Sequence, residues 1–131
     1  MTNQQLFNRV SQHLLRQNQR ALLSENLSAY RSLTGLRCPI GYLMKSRYRP
    51  EFEGFRVVSL TGSKVSIQVA RAIQRAAGLR SDDYQLRLAE ELQILHDECR
   101  PATWATNLES IRLRWHLKPA TARRQSRKKG H

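Results

Sequence analysis

Thr2-Asn3-Gln4-Gln5-Leu6-Phe7-Asn8-Arg9-Val10-Ser11-Gln12-His13-Leu14-Leu15-Arg16 opens the chain and sets its class. Leu6, Phe7, Val10 and Leu14, continued by Ala21 and Leu22, recur at the three- and four-residue steps of one apolar helix stripe. Thr2 and Gln5 stand at capping-box spacing: the hydroxyl accepts from a first-turn amide and the glutamine reaches back. The pattern predicts an amphipathic helix over residues 2–23, with Arg9, Arg16 and Arg20 on its other faces.

Downstream the helical signal returns three times. Ser63 suits an N-cap for a helix over 64–77, ended by Gly78 at the position that favours a left-handed backbone. Val65, Val69, Ala72, Ile73 and Ala76 form its inner stripe. Ser81 is expected to cap a helix over 82–99, with Asp82 and Asp83 at the positive end of its dipole. Leu86, Leu88, Leu92, Ile94 and Leu95 supply its apolar surface. Pro101 starts a last helix reaching about residue 117, with a core stripe of Trp104, Leu108, Ile111 and Trp115. Between the first and second of these elements the pattern is looser. Residues 24–36 read as irregular, and residues 38–45 as a short helix with Pro39 in its first turn. Residues 47–54 read as a loop and residues 55–60 as one short strand with no convincing partner. The expectation is a mainly α, compact single-domain bundle of about four helices, with an irregular central segment and one short strand or hairpin.

The chain has 131 residues, a single-domain length. Its charge is segregated: residues 1–80 carry 13 basic and 3 acidic groups, residues 81–117 carry 4 and 7. From residue 118 onward there are six cations (Lys118, Arg123, Arg124, Arg127, Lys128, Lys129) and no acid. Nothing apolar there is larger than Ala or Pro, so the segment buries too little surface to offset the entropy of ordering. Residues 1–117 are therefore expected to form the globular domain, and residues 118–131 a disordered basic tail. Such an arm suits a polyanion, although basic tails also serve solubility or localisation. No run approaches the ~20 apolar residues of a membrane helix, and the start lacks the marks of a signal peptide. A cytoplasmic location in the host cell, with Cys38 and Cys99 as thiols and no membrane partner, is the expectation.

Chemistry is hard to place. His96-Asp97-Glu98-Cys99 fails as a hydrolase cluster, because consecutive helical side chains diverge by about 100°. It reads as a polar helix end. No metal-ligand spacing, P-loop or dinucleotide fingerprint appears, so no cofactor, no metal and no enzymatic activity are expected. A helix-turn-helix across residues 69–95 is opposed by Asp82, Asp83, Glu90 and Glu91, which would face phosphates. A plainer polyanion surface is the stripe Lys64, Gln68, Arg71 and Arg75, with Arg80 just beyond. Lys45, Arg47, Arg49 and the arm can extend it, and Tyr30, Tyr42 and Tyr48 lie among these cations, where tyrosines stack bases or simply pack.

The stretch Tyr30-Arg31 through Gly35-Leu36-Arg37-Cys38-Pro39-Ile40-Gly41-Tyr42-Leu43-Met44, then Tyr48 and Glu53-Gly54, resembles a family of small tailed-phage and prophage proteins with a Gly-Leu-Lys/Arg-Cys-x-Ile/Val-Gly motif. The resemblance runs over about residues 4–117 and is specific in the cysteine motif. It implies a phage origin and a compact helical domain, with no activity attached. The expectation is thus a phage-type accessory protein binding nucleic acid through the basic helix face and the arm. The alternative is an inhibitor or adaptor on an acidic host protein of the transcription or defence machinery.

Overall fold

In a computed structural model the described residues are 1–25, 27–53 and 64–120, with the side chains of residues 64–67 set aside. The expected strand over 55–60 and the residues beyond Ala120 lie outside them. The chain is mainly helical, with a small hairpin: α1 Asn3–Gln17, β1 Leu22–Ser24, β2 Leu27–Ser28, α2 Pro39–Met44, α3 Lys64–Ala76, α4 Asp83–Glu98 and α5 Trp104–Arg114.

The first helix is capped as its sequence requires. Gln5 N donates to Thr2 Oγ1 at 3.0 Å and Thr2 N donates to Gln5 Oε1 at 2.8 Å. It ends earlier than residue 23, because Asn18 takes a left-handed conformation and its N–H closes on Leu14 O. Asn tolerates that conformation through its short polar side chain. Ala21 and Leu22, which extend the apolar stripe in sequence, belong instead to the approach and first strand of the hairpin. The segment read as irregular therefore contains an antiparallel pair, Leu22 against Ser28, and an isolated bridge between Arg31 and Arg37.

Helix α4 is the central post, packed on α1, α2 and α5; α3 leans on α2. The core joins Leu6, Val10 and Leu14 of α1, Ile40 and Met44 of α2, Ile73 of α3, Leu88 and Leu92 of α4 and Trp104 of α5. Burying a Leu or Ile side chain contributes roughly 1.5–3 kcal/mol, so this stripe-on-stripe packing fixes the bundle. Asp82, not Ser81, caps α4, accepting from Gln85 N at 2.8 Å. Ile94 is exposed, whereas Leu86, Leu88, Leu92 and Leu95 are buried. The last element begins as a 3₁₀ turn at Pro101–Thr103, and α5 stops at Arg114, before the predicted end. Trp115 is half-buried there, its Nε1 donating to Glu91 Oε2 at 3.0 Å.

Gly41 marks the tightest approach in the fold. A Cβ on it would meet Tyr30 O at 2.0 Å, so only glycine lets the chain at Tyr30 lie on α2. Among the described residues, no helix is long and apolar enough to cross a membrane.

Candidate nucleic-acid interface

Helix α3 buries Ile73 and Ala76 of its expected inner stripe, while Val69 and Ala72 are half-buried and the Val65 side chain lies outside the described residues. Ala70 and Gln74 are buried as well, and Gln68, Arg71 and Arg75 are exposed one turn apart on the outer face. Lys64 opens the helix, its side chain outside the described residues. Leu79 N bonds Gln74 O and Gly78 N bonds Arg75 O, with Gly78 at φ +73°; this Schellman closure ends the helix and sends Arg80 outward. Among the described residues Arg71 and Arg75 have no carboxylate partner, whereas Arg80 is paired with Asp82 at 3.0 Å. Arg112 and Arg114 are likewise paired, with Glu109 and Glu91.

One other cationic segment comes to the end of α3, and a second is tied to the start of α1. After α2 the chain makes a 3₁₀ turn, Lys45–Arg47, in which Lys45, Arg47 and the following Arg49 are exposed. The Arg47 guanidinium lies alongside Gly78, 3.8 Å from where a Cβ on that residue would sit. A cation there also suits the negative end of the α3 dipole. The second segment is the root of the tail. Lys118 N donates to Gln4 Oε1 at 2.8 Å and Gln4 Nε2 donates back to Lys118 O at 2.9 Å. Gln85 ties the α3–α4 junction to the same helix end: its Oε1 accepts from Arg80 N at 2.8 Å and its Nε2 donates to Met1 O at 2.9 Å. Arg80 and Lys118, 38 positions apart in sequence, are thus both anchored at the start of α1. Packed chain continues to Ala120, which is 5 % exposed. Arg123, Arg124, Arg127, Lys128 and Lys129 lie outside the described residues.

The three tyrosines are engaged in packing. Tyr42 stacks on His13 with centroids 4.1 Å apart, and Tyr30 is buried. Tyr48 lies under the Arg31 guanidinium, 4.6 Å from Cζ to the ring centroid, and donates to Glu53 Oε2 at 2.5 Å. Glu53 also accepts from Tyr30 N at 2.9 Å and Arg31 N at 3.1 Å, while Arg31 Nη2 donates to the Gly41 and Lys45 carbonyls. The motif residues 30–44, with Tyr48 and Glu53, therefore bond chiefly to one another. Burial, with the Glu53 bond second, pushes the Tyr48 hydroxyl up to about 12.

The nucleophile and base candidates are also committed. Cys38 is the N-cap of α2, its Sγ accepting from Gly41 N at 3.3 Å, and burial pushes its thiol up to about 12. A thiol held protonated is a poor nucleophile. Both cysteines are free. His96 lies in the last turn of α4, as expected of a polar helix end, but it is fully buried, 5.7 Å from Trp104. Its Nε2 accepts from Ala21 N at 3.0 Å, which leaves Nδ1–H to donate to Asp97 Oδ1 at 2.7 Å. The acid–imidazole pair thus fastens the hairpin to α4, and its free lone pair is spent on a backbone amide. Burial holds His13 below the usual imidazole range, and its Nε2 bonds Arg37 O at 2.8 Å.

Comparison with family models, with curated proteins and with solved structures gives no match for this chain.

Proposed function

We propose that this is a phage-type accessory protein of the host cytoplasm that binds nucleic acid, without catalysing a reaction on it. Lys64, Gln68, Arg71 and Arg75 of the α3 face make phosphate contacts. Arg80, just beyond the helix, joins them at a smaller net gain by exchanging Asp82 for a phosphate, and Lys118, Arg123, Arg124, Arg127, Lys128 and Lys129 of the arm add further contacts. The observation that carries this reading is that, among the described residues, Arg71 and Arg75 stand without a carboxylate partner on the exposed face of α3, and that the Arg47 guanidinium is brought to the end of the same helix at Gly78. Unpaired, solvated guanidiniums gathered along one edge bind a phosphate track by displacing condensed counterions, a gain that paired arginines have already forfeited. The motif resemblance supports the phage-type role.

The test is fluorescence anisotropy on labelled duplex DNA and on RNA across a salt series. If six to eight phosphates are neutralised, log K falls against log salt with a slope of about −5 to −7 on duplex DNA. Arg71→Ala with Arg75→Ala flattens that slope by about 1.8. Removal of residues 121–131 flattens it separately. Absence of binding to either polymer at low salt overturns the proposal, and capture of one acidic host protein from nuclease-treated lysate points to the adaptor role.

A further inference from the structure

Leu33 is 94 % exposed, far more than any other large apolar side chain described in the fold. It sits at the tip of a closed loop. Arg31 and Arg37 bridge at its base, Ser32 N donates to Leu36 O at 2.8 Å, and Gly35 N donates to Ser32 O at 3.1 Å. Inside it Ser32 Oγ accepts from Leu36 N at 3.0 Å and lies 3.1 Å from Thr34 Oγ1. The leucine is therefore held out on a short, internally bonded ribbon end.

What surrounds it selects the partner. Along the chain, residues 27–50 contain five basic side chains (Arg31, Arg37, Lys45, Arg47, Arg49) and no acidic one. The Glu53 carboxylate at the base of the loop is taken up by the Tyr30 and Arg31 amides and the Tyr48 hydroxyl. The base of the loop joins the cationic edge of α3 through named contacts: Arg31 bonds the Lys45 carbonyl, and Arg47 of the same turn lies beside Gly78. A second copy of this chain would bring like charges together at the tip, so self-association is disfavoured. An apolar side chain presented among cations and hydroxyls matches the way architectural proteins unstack a duplex. Cations hold the phosphates while a Leu, Ile, Phe or Pro wedge enters a base step.

We propose that Leu33 is such a wedge, inserted between adjacent base pairs of duplex DNA while Arg37 and the Lys45–Arg49 turn hold the flanking phosphates. This rests on the nucleic-acid reading above. It adds to that reading a local unstacking and bend that phosphate contacts alone do not produce.

The experiment uses the full chain with a short duplex carrying 2-aminopurine at a central TA step and a fluorescent pair at its ends. Unstacking raises the 2-aminopurine emission and bending raises energy transfer. The wild type is expected to raise both. Leu33→Ala, at a fully solvated position that leaves the fold intact, is expected to keep the salt slope, bind about tenfold more weakly, and raise neither signal. Leu33→Phe is expected to restore both signals. Wild-type binding with a normal salt slope and no change in either signal overturns the wedge and leaves the phosphate-binding reading standing. Equal signals from Leu33→Ala overturn it in the same way. Absence of any salt-dependent binding removes both.

Discussion

Replacing Gly41 by Ala tests the hinge on which this architecture turns. The added Cβ would sit 2.0 Å from Tyr30 O, 2.6 Å from Tyr30 C and 3.1 Å from Tyr30 Cα. An acceptable contact requires the two backbones to separate by about 1 Å or more, a gap over which packed atoms forfeit much of their dispersion energy. Tyr30 is not free to yield, because its carbonyl accepts from Cys38 N at 3.0 Å and its N–H donates to Glu53 at 2.9 Å. Overpacking costs about 1–3 kcal/mol and a buried hydrogen bond lost in the shift about 1–3 more, so the expected destabilisation is about 2–6 kcal/mol. That is a large part of an ordinary domain's stability of about 5–15 kcal/mol. At about 4 °C per kcal/mol, the midpoint falls by roughly 8–24 °C. Urea unfolding followed by far-ultraviolet circular dichroism measures it directly. Gly35→Ala is the control: φ is +92° and nothing lies within 4 Å of its Cβ, so only the backbone strain of about 1 kcal/mol applies. A Gly41→Ala loss below 1 kcal/mol, or one equal to that of Gly35→Ala, would refute the close approach.

Further outcomes follow from the polar clusters. Glu53→Gln removes a charged acceptor from three donors and should cost about 2–4 kcal/mol in urea titration. The same change should also lower the Tyr48 titration from about 12, read as tyrosinate absorbance. Because Cys38 and Tyr48 hold their protons more tightly when folded than unfolded, their contributions are intact below about pH 9 and pH 10 respectively. They should be lost as pH rises towards 12, so thermal stability declines across that alkaline window, and Cys38→Ala should remove the part beginning near pH 9. A thiol-reactive disulfide reagent at neutral pH should label half-buried Cys99 in the native protein and Cys38 only after unfolding; rapid native labelling of both would contradict the buried cap. His96→Leu leaves the Ala21 amide without its acceptor and should cost roughly 2–4 kcal/mol, with a change in Trp104 emission as the hairpin loosens.

Periodicity was legible wherever one side chain per turn had to be buried. The stripe of α1, the cap of Thr2, the outward Arg71 and Arg75 and the glycine stop at Gly78 all follow from local spacing and local hydrogen bonds. Helix ends were less legible. Asn18 breaks α1 before the apolar run stops, and Asp82 takes the cap from Ser81, because several polar residues in a row can each cap and packing selects among them. The burial of His96 is not legible in the polar run at residues 96–99, because the Ala21 amide that it accepts from lies 75 positions away and Trp104 belongs to the next helix.

Composition and spacing alone determined a helical chain with its cations gathered in the first two thirds and in the arm, since charge counts and helical repeats are properties of neighbouring residues. Only the tertiary structure decided which cations share a surface. It carried Arg47 to the end of α3 and tied both Arg80 and the root of the arm to the start of α1 through Gln85 and Gln4, while pairing Arg80, Arg112 and Arg114 with carboxylates. It also showed Leu33 left outside the core. The physical reason is that electrostatic partnership and burial depend on distance in space, which chain order does not encode until the core has closed.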